Sequence, residues 1–99
     1  MTYFVYILEC SNGAYYSGYT TDLVRRYQEH CNGSAKCKYT RSFPPRRIAA
    51  SWPITAELST VLKIEAKIKQ LSKPQKQFIA THQFDVESLL INSVTIPDE

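Results

Sequence analysis

Two runs rich in tyrosine, valine, isoleucine and threonine, YFVYILEC at 3–10 and AYYSGYT at 14–20, are separated by only three residues. Residues of these types favour the pleated surface of a strand, and the intervening Ser11, Asn12 and Gly13 are turn formers, so the pair predicts a β-hairpin. Its register decides which side chains share a face. A two-residue turn at Asn12 and Gly13 would set Tyr6 opposite Tyr19 and send Tyr16 to the other side of the sheet. A three-residue loop with Gly13 left-handed would set Leu8 opposite Tyr16 and Gly18 opposite Tyr6, which makes the two tyrosines diagonal neighbours on one face. The second arrangement is the expected one.

Beyond the hairpin, Thr21 or Asp22 is placed to cap a helix running to about Asn32, with Gly33 as its stop. On that helix Arg26 and His30 lie four residues apart and share a face, whereas Arg25 points elsewhere. The stretch SAKCKYTRSFPPRR at 34–47 carries five basic residues, no acid and two aromatics, and reads as a loop. Cations interleaved with rings suit contact with phosphates and stacking on bases, which makes Lys36, Lys38, Tyr39, Arg41, Arg46 and Arg47 candidate nucleic-acid contacts. A third strand is expected over 47–53. Thr55 then caps a second helix to about Leu71, and Ser72, Lys73 and Pro74 break it and start a third. Residues 84–99 take no clear element.

The chain has 99 residues, 43% of them hydrophobic, with three glycines and five prolines, which is the composition of one domain with a modest core. The expected division is a domain over 1–82 and an acidic extension over 83–99. Residues 1–50 hold seven Lys/Arg against three Asp/Glu, and residues 82–99 hold four acids and no Lys/Arg. A basic body of this kind suits a polyanion, although charge alone also describes many solvated surfaces. No apolar run reaches the roughly 18 residues of a spanning helix, and MTYFVYILEC lacks the basic start of a signal peptide, so a cytoplasmic location is expected. The three cysteines, Cys10, Cys31 and Cys37, form no CxxC pair, which argues for reduced thiols over a disulfide framework or a zinc ribbon.

The second helix holds an anomaly. Its apolar stripe reads Leu58, Val61, Leu62, Ile68 and Leu71, and Glu65 falls within it. A carboxylate there needs a cation, either a side chain such as Arg26 or a divalent metal, unless it reaches solvent past its neighbours.

Tyr6, Tyr16, Arg26, His30 and Glu65 together resemble the site of the GIY-YIG nuclease domain, and of its small stand-alone bacterial members (UPF0213-like) in particular. FVYILEC at 4–10 stands where that family has its GIY element, and YSG at 16–18 stands where it has YIG. YTTDLVRRYQEHCNG at 19–33 is similar to the family's helix, with Arg26 at the position of its essential arginine and His30 one turn on. KYTRSFPPRRI resembles a segment of the stand-alone subgroup, and IEAKIKQLSKPQK puts Glu65 where the family keeps its metal-binding glutamate. The Gly-Ile of GIY is replaced by Phe4-Val5 and the Ile of YIG by Ser17, and both tyrosines are retained.

The resemblance covers about residues 3–80. It implies an α/β sandwich, with a three-stranded antiparallel sheet flanked by about three helices. The implied activity is hydrolysis of phosphodiesters in DNA, with RNA as the alternative polymer, assisted by one Mg²⁺ or Mn²⁺ ion. Repair or recombination is the family's company. Glu65 would hold the metal, Arg26 would grip phosphate oxygens, Tyr6 or Tyr16 would activate water, and His30 would assist the proton transfer. The competing expectation is a nucleic-acid-binding module whose hydrolysis is vestigial or depends on a partner.

Overall fold

The hairpin closes through three loop residues. In the computed structural model, which describes residues 1–34, 37–90 and 96, β1 (Thr2–Cys10) and β2 (Tyr15–Thr20) pair antiparallel with Tyr6 opposite Gly18 and Leu8 opposite Tyr16. Gly13 has φ +83°, a conformation that costs glycine little, and its N–H donates to the Cys10 carbonyl at 2.9 Å. Tyr6 and Tyr16 therefore share one face.

A third strand, β3 (Pro45–Thr55), pairs antiparallel with the other side of β1, giving the order β2-β1-β3. It is longer at both ends than the expected 47–53. Its prolines, Pro45 and Pro53, are tolerated because β3 is an edge strand. Central β1 is covered on both faces, so Val5, Tyr6, Ile7 and Leu8 are all buried in succession.

Helix α1 (Leu23–Cys31) starts at Asp22, whose Oδ1 accepts the Arg25 N–H at 3.1 Å, and ends at Asn32 before Gly33 at φ +68°. The expected loop after it contains a helix, α2 (Lys38–Ser42). Five residues cannot hold a helix by propensity, so tertiary contacts hold this one: Thr40 is fully buried. Pro44 then disfavours helical backbone at Phe43 and ends it. Lys36 lies outside the described residues.

Helix α3 (Leu58–Lys69) is preceded by Glu57 as its cap, and Thr55 instead ends β3 with its hydroxyl 3.0 Å from that of Thr2. Its buried face is Val61, Ile64 and Ile68, while Leu58 and Leu62 are each 41% exposed. Val61 and Ile68 of the expected stripe are thus buried, its Leu58 and Leu62 turn towards solvent, and Ile64 is the core residue it omits. Helix α4 (Lys73–Thr81) begins with a reciprocal Ser72–Gln75 capping box. The described residues thus contain four α-helices, one more than expected, the addition being α2.

Apolar side chains sort onto the two sheet faces. Val5, Ile7, Trp52 and Ile54 pack with Val61, Ile64 and Ile68 of α3 and Ile79 of α4. Tyr6, Leu8 and Cys10 pack on the other face with Leu23 and Tyr27 of α1 and with Ile48. A 3-10 turn, Val86–Leu90, follows α4, and both Val86 and Ile96 are buried in the α3-side core. Residues 91–95 and 97–99 of the acidic extension lie outside the described residues. Among the described residues no helix is long and apolar enough to cross a membrane. Cys10, Cys31 and Cys37 are free thiols.

Candidate active site

Gly18 determines where Tyr6 sits. A Cβ built at Gly18 would lie 2.5 Å from the Tyr6 Oη and 2.7 Å from its Cζ, because the phenol lies directly over the glycine backbone. A methyl group there is incompatible with the ring. Gly18→Ala is expected to displace Tyr6 and lower stability by about 1–3 kcal/mol, read as a reduced denaturant midpoint. An unchanged midpoint would contradict this account of the YSG glycine.

The Tyr6 hydroxyl lies 2.9 Å from His30 Nε2, and His30 Nδ1 lies 2.7 Å from Thr40 Oγ1. Thr40 in turn donates to the Cys37 carbonyl at 3.3 Å. With the Thr40 hydroxyl donating to the Cys37 carbonyl, the His30 Nδ1–H donates to Thr40 and the bare Nε2 accepts the Tyr6 O–H. Burial pushes the Tyr6 pKa up to about 12, against the opposing effect of the Arg26 guanidinium beside it. Burial, reinforced by Arg26, pushes His30 down to about 4, so its imidazole is neutral at pH 7 and keeps the acceptor lone pair.

Arg26 is partly buried, and its Nη1 donates to Glu29 Oε1 at 3.0 Å. Burial works against its charge, but the Tyr6 hydroxyl and Glu29 outweigh it and raise its pKa, so the cation is secure. Arg26 also lines a cleft of about 350 Å³ that it shares with Arg25, Thr20 and Tyr19. Tyr19 packs on the α3 side of the sheet. The cleft therefore reaches around the edge strand β2 from one face to the other.

An aromatic series leads outward from this centre. The Tyr16 ring is edge-on to His30 at 5.4 Å and stacked on Tyr39 at 5.5 Å, with planes 14° apart. Phe43 follows at 5.5 Å from Tyr39, and both outer rings are 39% exposed. Lys38 and Arg41 project from the same short helix and are exposed. Arg46 and Arg47 do not join them. They flank Glu9 instead, Arg47 Nε at 2.7 Å and Arg46 Nη1 at 3.6 Å, near the hairpin tip.

Tyr6, Tyr16, Arg26 and His30 are thus brought together, and Glu65 comes from the helix packed on the opposite face. Its partner among the described residues is Lys69 Nζ at 3.6 Å, not Arg26. Among the described residues no three His, Cys, Asp or Glu side chains are grouped to hold a metal. A Mg²⁺ ion that takes one carboxylate and completes its shell with water and substrate phosphate needs no such group. Glu65 suits that pattern, because its carboxylate is largely shielded and, among the described residues, meets one exposed ammonium. Among the described residues the buried Ser17 Oγ has no hydrogen-bond partner, which makes it a spare oxygen on the same sheet face as α3.

The residue that sequence reasoning missed is Thr40. It sits inside the quoted KYTR segment, but nothing local marks it, because its role depends on α2 folding back onto α1.

A family model described as the GIY-YIG catalytic domain matches residues 2–78. A UPF0213 protein of Halalkalibacterium halodurans is 40% identical over 77 residues, which are 78% of this chain and 80% of that protein. Another, from Halobacterium salinarum, is 44% identical over 73 residues, covering 74% of this chain and 92% of the relative. A solution NMR structure of a UPF0213 protein from Bacillus halodurans aligns with a TM-score of 0.54 at 34% identity, covering 96% of this chain and 100% of that one.

Proposed function

Since this chain belongs to the GIY-YIG catalytic-domain family, we propose that it is a metal-dependent endonuclease or nickase that hydrolyses phosphodiesters in DNA. The observation that carries the reading is the Tyr6 hydroxyl held between the Arg26 guanidinium and the bare Nε2 of His30. A phenol is a weak base until its proton has somewhere to go and a cation favours the phenolate. His30 offers the acceptor and Arg26 the cation.

In this reading the phenolate form of Tyr6, favoured by the Arg26 cation, takes the proton of the attacking water, while His30 stays neutral, its Nδ1–H on Thr40, and orients the Tyr6 oxygen. Arg26 meets the phosphate through donors not engaged by Glu29 and stabilises the extra charge of the transition state. Glu65 would hold a Mg²⁺ or Mn²⁺ ion, which supplies Lewis-acid polarisation of the phosphate and assistance to the leaving oxygen. Tyr16 orders the wall between His30 and Tyr39. The half-exposed rings of Tyr39 and Phe43, with Lys38 and Arg41, suit an unpaired base next to the cut, which favours branched, damaged or single-stranded sites and a role in repair or recombination.

A binding module with vestigial hydrolysis is the second reading. It is favoured by one observation, the Lys69 ammonium that already occupies the neighbourhood of Glu65. Supercoiled plasmid incubated with the purified protein separates the two. The nuclease converts it to nicked circles in Mg²⁺ or Mn²⁺ and is stopped by EDTA, whereas the binder retards the plasmid and leaves it supercoiled.

A further inference from the structure

Much of the chain's positive charge lies away from the tyrosines. On the opposite face of the sheet, below the hairpin tip, a cleft of about 470 Å³ is lined by Tyr15, Arg47, Gln77 and Thr81 among others. Two lysines of α4 converge on Tyr15. Lys76 Nζ donates to its carbonyl at 3.3 Å, and Lys73 Nζ lies 5.8 Å from its ring centroid.

Arg47 lines the cleft, Lys73 and Lys76 stand against Tyr15 in its wall, Lys69 is a charge neighbour of Lys76, and Arg46 shares Glu9 with Arg47. Glu65 pairs with Lys69, and Glu9 pairs with both arginines. Among the described residues Lys73 and Lys76 have no carboxylate partner. Lys76 is also half-buried, and burial together with the neighbouring Lys69 charge holds it below the usual ammonium range. Half-buried positive charge next to more positive charge is costly unless an anion approaches. Arg47 keeps donors free beyond the Nε that Glu9 takes, and Gln77 adds an amide at the same wall.

We propose that this cleft is a second nucleic-acid contact, in which Lys73, Lys76 and Arg47 bind the phosphodiester backbone on the sheet face opposite Tyr6 and Tyr16. The proposal rests on the reading of the chain as an enzyme of nucleic acid. It adds a backbone grip that positions the polymer without reading sequence.

The test is fluorescence anisotropy with the full chain in EDTA and a labelled DNA duplex, over a series of salt concentrations. Lys73→Gln combined with Lys76→Gln is expected to weaken binding roughly tenfold and to make the slope of log affinity against log salt shallower by about 1.8, since each phosphate contact contributes about 0.9. Lys73→Gln alone keeps the Lys76 bond to Tyr15 and is expected to shift the slope by about 0.9. Lys63→Gln with Lys67→Gln removes equal charge from exposed positions of α3 and serves as the comparison. An effect no larger than that of this pair overturns the proposal. Binding of inorganic phosphate that is lost in the Lys73/Lys76 variant while duplex affinity and salt slope stay unchanged assigns the cleft to a small anion and also overturns it. If the unaltered protein binds no DNA, the functional reading itself falls and the second contact with it; full binding by the variant removes the second contact alone.

Discussion

Arg26→Lys is expected to lower the rate of DNA cleavage by about 10²–10³-fold while the protein stays folded, the usual cost of losing one preorganised transition-state donor. The substitution preserves charge and removes shape. In the structure the guanidinium serves Glu29 through Nη1, stands beside the Tyr6 hydroxyl and lines the cleft at the β2 edge. An ammonium has no planar fork with which to meet these groups in one geometry. Cleavage assays under saturating metal, with circular dichroism to check the fold, decide the matter. If the lysine variant cleaves as well as the parent, Arg26 is a counter-charge and the bidentate role is wrong.

The second large effect is at Tyr6. Tyr6→Phe is expected to cost about 10²–10⁴-fold in rate, the range for loss of a general base. The phenol also makes a prediction about pH. Burial pushes its pKa to about 12, so near neutrality the hydroxyl is overwhelmingly protonated and the active phenolate is the minor form. The rate of the parent should therefore rise with pH through neutrality, by up to about tenfold per pH unit. Substrate and metal charge shorten that rise at its alkaline end. His30, held down at about 4, stays neutral throughout and contributes no inflection between pH 6 and 9. In Tyr6→Phe the remaining rate should lose the rise. A parent profile flat across that range, or a variant as fast as the parent, would move the base elsewhere, with Tyr16 next in line.

The hairpin was legible because a register has few solutions: three loop residues with Gly13 left-handed force Gly18 beneath Tyr6, and every other pairing follows. The limits of α1 were legible for a similar reason, since Asp22 and Gly33 act on the backbone next to them. What failed depended on contacts between distant segments. Helix α2 exists because Thr40 can bury itself against His30, an interaction that no local pattern announces. Arg46 and Arg47 read as part of a basic loop, but β3 begins at Pro45 and carries them to the hairpin tip beside Glu9. Glu65 was rightly read as a carboxylate in want of a cation. The stripe around it runs through Leu58 and Leu62, however, whereas the helix buries Ile64 and packs on the sheet face away from the tyrosines, where the carboxylate meets Lys69 one turn on.

That placement makes Glu65 the critical residue of the whole reading, because its helix packs on the sheet face opposite Tyr6. The most direct measurement is nicking of supercoiled plasmid by the parent and by Glu65→Ala, purified in parallel, in Mg²⁺, Mn²⁺ and EDTA. Metal-dependent nicking by the parent that disappears in the folded variant is the expected result. Nicking that persists in Glu65→Ala would contradict the metal assignment, and duplex binding without nicking in either metal would identify a binding module in place of the enzyme.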